Sequence, residues 1–257
     1  MKKHLPLAAL ALLLAACSKD KDDQPKPEET GLVKTGVYAV ANLVADTSAT
    51  SAGNGDTLYF SLEQNKTIPK SRAQTADWDI AFVSIYNSTI VANNGTASNS
   101  PGFGGPGKGG LYLALNSGVE SEYYDASQLK PKFIPGRALT DRAFREMKQV
   151  PVADNNIAGN AAIGLDHFLG GQDGWGFYDF YGTMFPDRPA DEKAHVVYTL
   201  PRTVIVRTAK GRYAKLVIYS FYKDAPADPD RSHKTGYISF KYAIQMDGSK
   251  QLDIQEP

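Results

Sequence analysis

The stretch Gly236-Tyr-Ile-Ser-Phe-Lys-Tyr-Ala-Ile-Gln-Met246 decides the fold class. Ile238, Phe240, Tyr242, Ile244 and Met246 recur at a period of two, and Tyr237, Ser239, Lys241, Ala243 and Gln245 fill the alternate places. An extended strand sends alternate side chains to opposite faces, so this run reads as a long strand with one apolar face. Before it, Thr203 to Thr208 and Tyr213 to Tyr222 flank Ala209-Lys210-Gly211-Arg212, a hairpin with a glycine-containing turn. Trp78 to Ile85 reads as a second strong strand and Leu111 to Leu115 as a short one. Val37, Tyr38 and Val40 suggest a strand within Gly31 to Ala45; Gly53-Asn54-Gly55-Asp56 reads as a turn and Thr57 to Leu62 as the return strand. One helix is expected where Leu139, Ala143, Phe144, Met147 and Val150 share a face, with Thr140 as its N-cap and Pro151 as its stop. The expected class is all-β, mainly antiparallel sheets with one or two short helices.

The N-terminus sets the compartment. Met1-Lys2-Lys3-His4 is basic, Leu5 to Ala16 is almost wholly apolar, and Leu14-Ala15-Ala16-Cys17 looks like a bacterial lipobox. Twelve apolar residues are too few for a membrane-spanning helix, which needs about 20, but suit a secretory leader that is removed. Cys17, the only cysteine, then carries the lipid anchor. Each acyl methylene buried in the membrane contributes about 0.8 kcal/mol, and stable anchoring takes more than one chain. Ser18-Lys19-Asp20-Lys21-Asp22-Asp23 reads as a solvated tether start and resembles the acidic signal that sends lipoproteins to the outer face of the outer membrane. The expected organisation is a signal peptide over 1–16, a lipidated disordered tether over 17–30 and a single domain over 31–257.

Composition narrows the function. Lys plus Arg and Asp plus Glu number 28 each, a balance that argues against nucleic acid as a partner. Gly102-Phe-Gly-Gly-Pro-Gly107-Lys108 fits the phosphate-loop spacing, but Gly109 stands where the magnesium-binding hydroxyl belongs, so a plain glycine-rich loop is the better reading. Six glycines between 102 and 110 make this long loop a candidate functional element. No nucleophile elbow, metalloprotease helix or calcium loop is present, and the expectation is a binder, not an enzyme. His167, His195 and His233 are too far apart in sequence for a helical ligand pair. Met147 and Met246 fall on apolar faces, whereas Met184 sits in a Gly- and Pro-containing loop, either filling a gap or presenting a soft metal ligand.

Several segments together resemble the HmuY family, haem-binding surface lipoproteins of the Bacteroidetes. They are Asp77-Trp78-Asp79-Ile80-Ala81-Phe82; Asn94-Gly95 with Gly107-Lys108-Gly109-Gly110; Trp175 after Gly170-Gly171; Val206-Arg207-Thr208-Ala209-Lys210-Gly211 with Ala214-Lys215; and Gly236 to Tyr242. The resemblance implies an all-β, HmuY-like fold and haem iron gripped by two axial side chains from two loops. Its first ligand position falls at Lys148, beside Met147, and its second in the loop from Phe180 to Met184; neither holds a histidine. The implied pair is Met147 and Met184, with His167 and His195 as the alternative and Phe180, Tyr181 and Phe185 as candidate walls. Thioether ligands would favour ferrous iron. The implied role is haem capture at the cell surface and delivery to an outer-membrane TonB-dependent receptor. The alternative is the same scaffold, without haem ligation, binding a glycan, another tetrapyrrole or a host protein.

Overall fold

The computed structural model describes residues 31–44, 56–167 and 173–256. The leader, Cys17, the tether and the Gly53–Gly55 turn lie outside the described residues. In chain order the first strands are β1 (Gly36–Leu43), β2 (Leu58–Ser61), β3 (Lys66–Ile68), β4 (Ile80–Val83) and β5 (Thr89–Ala92). Next come β6 (Gly110–Ala114), β7 (Tyr124–Asp125), β8 (Lys130–Pro131), β9 (Ala162–Ile163) and β10 (Leu165–His167). The last are β11 (Gly176–Asp179), β12 (Val196–Thr199), β13 (Thr203–Arg207), β14 (Tyr213–Tyr222) and β15 (Thr235–Gln245). The described α-helices are short: α1 (Ser117–Tyr123), α2 (Arg137–Glu146) and α3 (Ala190–Lys193). None is long and apolar enough to cross a membrane.

The fold is all-β and mainly antiparallel. One sheet runs β1-β15-β14-β13-β6, a second β3-β2-β4-β5-β9, and a third, smaller one β10-β11-β12. Only the β10–β11 pairing among the described strands is parallel. Alternation works as the sequence implies. Leu216, Ile218, Ile238, Phe240, Tyr242 and Ile244 meet Phe60, Ile80 and Phe82 of the second sheet in the main core. Phe240 lies edge-on to Phe60 at 5.3 Å between ring centroids. Each such side chain, fully buried, contributes about 1.5–3 kcal/mol. The other face of the large sheet is covered by α2, where Phe144 packs on Val217 and Ala243. Lys215 on that face donates from Nζ to the carbonyls of Phe144 and Met147, each at 2.8 Å, satisfying the end of α2. Burial pushes its ammonium down to about 8.

Three expectations fail. The helix α2 ends at Glu146 with Met147 as its C-cap, so Val150 lies past the helix and Pro151 is not its stop. β1 does not return through β2; it pairs with β15, Gly36 opposite Ile244. The glycine turn marks where the chain can reverse, not which strands pair. Tyr38 finds its burial against Tyr242, stacked at 5.3 Å, and β2 lies between β3 and β4. Thr140 is not an N-cap but is buried inside α2, which begins one turn earlier after Gly136. There Arg137 places its guanidinium 4.0 Å from the Tyr219 ring centre, extending the helix past the apolar stripe.

Two buried charge clusters tie the sheets together. Arg202 donates to Asp166 at 2.7 Å, to Glu120 at 2.6 Å and to the Gly174 carbonyl at 2.7 Å. Its side chain and that of Asp166 are both fully enclosed. Asp79, in the second sheet, accepts from the Ala209 N–H at 3.1 Å in the β13–β14 turn and from Glu63 N–H at 3.1 Å.

Removing one partner of a buried ion cluster leaves the other charge stranded, at about 3–5 kcal/mol. Arg202→Ala should therefore lower the melting temperature by roughly 10 °C; a shift within about 2 °C would show the cluster to be dispensable. Burial, with the Glu63 charge beside it, pushes the Asp79 carboxyl up to about 7. The folded chain then holds this proton through a pH range where the unfolded chain, with a carboxyl near ~3.9, has lost it. Stability from this group is full below about pH 4 and is lost as pH rises through about 7. A melting temperature lower at pH 8 than at pH 5.5 is expected in calorimetry, and a flat or rising profile would contradict it.

Candidate functional site

The small sheet, the end of β14 and two loops enclose a cleft of about 550 Å³, within the ~300–1,000 Å³ usual for small-ligand sites. Tyr178 and Val197 stand opposite each other across β11 and β12, so both face the cleft from the sheet. His195, two residues before Val197, also lines it, as do Phe221 and Tyr222 from β14. The loop between β4 and β5 adds Ile85 and Tyr86, and the segment before β15 adds Asp230, Arg231 and His233.

Local geometry explains how these groups are presented. His195, with Ala194, turns α3 into β12; its φ is 62° and its N–H donates to the Asp179 carbonyl at 2.8 Å. Left-handed backbone at a residue other than glycine is uncommon, and such conformations gather at functional sites. Across the cleft, Ser84, Tyr86 and Asn87 have φ of 66°, 50° and 61°. Asn87 holds that loop by donating to the carbonyls of Phe82 and Asp56, each at 2.9 Å. The result is an Ile85 side chain held out in solvent at the cleft.

Both histidines are oriented through Nδ1. His195 Nδ1 lies 2.6 Å from the Tyr178 hydroxyl. His233 Nδ1 lies 2.9 Å from an Asp230 carboxylate oxygen. Hydrogen bonds from Ser232, with His233 alongside, hold that carboxyl below its usual range, so it stays an acceptor. His233 Nδ1 also accepts from the Asp230 N–H at 3.0 Å, and neither Nε2 has a hydrogen-bond partner among the described residues. A histidine oriented through one ring nitrogen presents the other, and a metal there requires the tautomer in which Nδ1 carries the proton. The phenols stay neutral: burial raises Tyr178 and pushes Tyr222 up to about 12. Tyr222 accepts from the Val197 N–H at 2.8 Å, which pins β12 to β14 beneath the cleft.

The sequence-derived candidates separate. Phe180 lies 4.6 Å from the His195 ring and Tyr181 packs edge-on against Phe180 at 4.8 Å, so both accompany this histidine. Phe185 does not. It packs on Tyr198, which alternates with Val197 and faces away from the cleft. Met184 is buried in the main core, its N–H donating to Asp179 at 2.9 Å. Met147 packs with Ile205, Tyr213 and Leu252, on the α2 side of the large sheet. The two methionines thus occupy different clusters, and neither lines the cleft. His167 ends β10 in register with Tyr178; its side chain lies outside the described residues. Met246 packs against the main core as its alternation implies. Sequence reasoning missed His233 and Arg231, which carry no local motif and reach the cleft only through the turn into β15.

The glycine-rich loop is a packed structural element. Asn93 donates to the carbonyls of Thr75 and Trp78, each at 2.8 Å, and a Cβ at Gly107 would stand 2.3 Å from Asn93 Oδ1. A larger hollow of about 620 Å³ beside this loop is walled by Asn94, Thr96, Ser98 and Asn155. Its Arg207 is already committed to the carbonyls of Lys108 and Asp154. Size alone does not make it a site for an apolar ligand.

Comparison with known proteins gives a family. The family model described as HmuY protein matches residues 54–242. Nothing matches among curated proteins. A solved lipoprotein candidate from Bacteroides fragilis NCTC 9343 is 12% identical, covers 85% of this chain and 96% of its own, and has a TM-score of 0.34. A candidate HmuY-like heme-binding protein from Bacteroides vulgatus ATCC 8482 is 12% identical over 83% of this chain and 96% of its own, with a TM-score of 0.36. These likenesses are too loose to transfer a site.

Met184→Ala should destabilise the ligand-free protein by about 2–5 kcal/mol, as buried methionine deletions do, and Met147→Ala by less. Equal, negligible losses in chemical denaturation would mean that Met184 is not core.

Proposed function

The chain belongs to the HmuY family, and from that premise we propose that it is a lipid-anchored haem-binding protein of the outer cell surface, a carrier without catalytic turnover. The observation that carries the reading is the cleft itself, with two histidines held through Nδ1 and their Nε2 atoms unpaired. A flat apolar macrocycle suits walls of Ile85, Val197 and Phe221, and neutral imidazole is a common haem ligand. His195 and His233 are the ligands this geometry favours over Met147 and Met184, whose surroundings are core packing. The proposed organisation is a leader over 1–16, an anchor at Cys17 on a tether to residue 30, and one ligand-binding domain over 31–257. Anchorage keeps captured haem at the cell, ready for an outer-membrane TonB-dependent receptor.

Titration of the mature protein with haem, first oxidised and then dithionite-reduced, tests this. A shifted Soret band is expected in at least the oxidised state, lost in the double variant His195→Ala, His233→Ala and kept in Met147→Ala, Met184→Ala. The reverse pattern would hand ligation to the methionines. No shift in either state would sink haem binding and leave a scaffold for another ligand.

A further inference from the structure

Arg231 is the only lysine or arginine lining the histidine cleft among the described residues. No described residue forms an ion pair or hydrogen bond with its guanidinium. Its position is not loose: the Arg231 N–H donates to the Glu192 carbonyl at 3.0 Å, and Pro229 beside it accepts from Lys193 Nζ at 2.9 Å. Lys193 is fully enclosed and also pairs with Asp228. The segment that carries Arg231 is thereby riveted to α3, the same helix that leads into His195. The neighbouring Asp230 forms no ion pair with it; Asp230 Oδ1 instead meets the Ser232 N–H at 2.8 Å, the Ser232 hydroxyl at 2.5 Å and His233 at 2.9 Å.

We infer that Arg231 is the carboxylate-recognising residue of this cleft, selecting an apolar planar ligand with an acidic edge over its neutral counterpart. The inference rests on the haem reading of the same cleft but not on iron ligation. An unpaired guanidinium beside apolar walls offers a carboxylate two parallel N–H donors, a bidentate geometry that a lysine does not reproduce. The exposed side chain places this contact at the solvent edge, where a propionate-bearing margin would lie.

Iron-free protoporphyrin IX and its dimethyl ester separate the two questions, since neither can take an axial ligand. Affinities for the mature protein are read from porphyrin fluorescence, with haem titrated in parallel. The free acid should bind about tenfold or more tighter than the ester, the scale of a charged hydrogen bond, and added salt should narrow that gap. Arg231→Gln should weaken the acid to the level of the ester and leave the ester unchanged; Arg231→Lys should recover part of the loss. As Arg231 is exposed, these variants should melt as the wild type does. Equal binding of acid and ester, or an Arg231→Gln loss shared by both, would overturn the inference while haem binding stood. Arg231-dependent binding of the acid without a haem Soret shift would uphold it and remove iron ligation. Failure of every tetrapyrrole to bind would overturn both.

Discussion

Arg202 is the constraint on which the site depends. A guanidinium taken wholly out of water survives only if its charge and its donors are met. Here it reaches Glu120 within α1, Asp166 on β10 and the Gly174 carbonyl at the entry to β11. Asp166 closes the loop by accepting from the Gly174 N–H at 2.7 Å. The parallel β10–β11 pair has only three registered positions, too few to hold its place alone. The buried charges fix it, and with it Tyr178, whose hydroxyl aims His195. The route from Arg202 to the orientation of a candidate ligand thus runs through Asp166, the β10–β11 pairing and Tyr178 to His195.

The long-range architecture was legible where one strand carried its own pattern. β15 and the β13–β14 hairpin follow from alternation and a glycine turn, because those signals are local and both faces of the sheet are buried. Pairing between distant segments was not legible. β1 reads equally well beside β2 or β15 until Tyr38 and Tyr242 are known to stack. The helix pattern around Leu139 found the buried face of α2 but not its start, which depends on Arg137 meeting Tyr219 from another strand.

The site divides along the same line. Phe180 and Tyr181 follow β11 and pack about His195 without lining the cleft, and Phe185 packs on the opposite face of the small sheet. Methionines attracted attention by scarcity and by loop position, yet a soft, unbranched side chain is also the easiest gap filler in a core. His195 and His233 stand on different elements, and only the fold brings them to one cleft. Their second partners, Tyr178 and Asp230, are what distinguish them from surface histidines, and such partners cannot be read from spacing.

Left-handed backbone stands on both sides of the cleft. A sheet edge whose backbone groups are satisfied presents side chains only at a period of two. To bring a histidine from the helix–strand junction and an isoleucine from the facing loop to one opening, the chain must leave that period on both sides. It does so at His195 and at Ser84, Tyr86 and Asn87, each in left-handed backbone. Such conformations persist only where neighbours over-determine them, and here the neighbours are specific: Asp179 accepting from His195, and Asn87 bridging Phe82 and Asp56. His195, His233 and Arg231 all line this cleft, and no described residue pairs with either Nε2 or with the guanidinium.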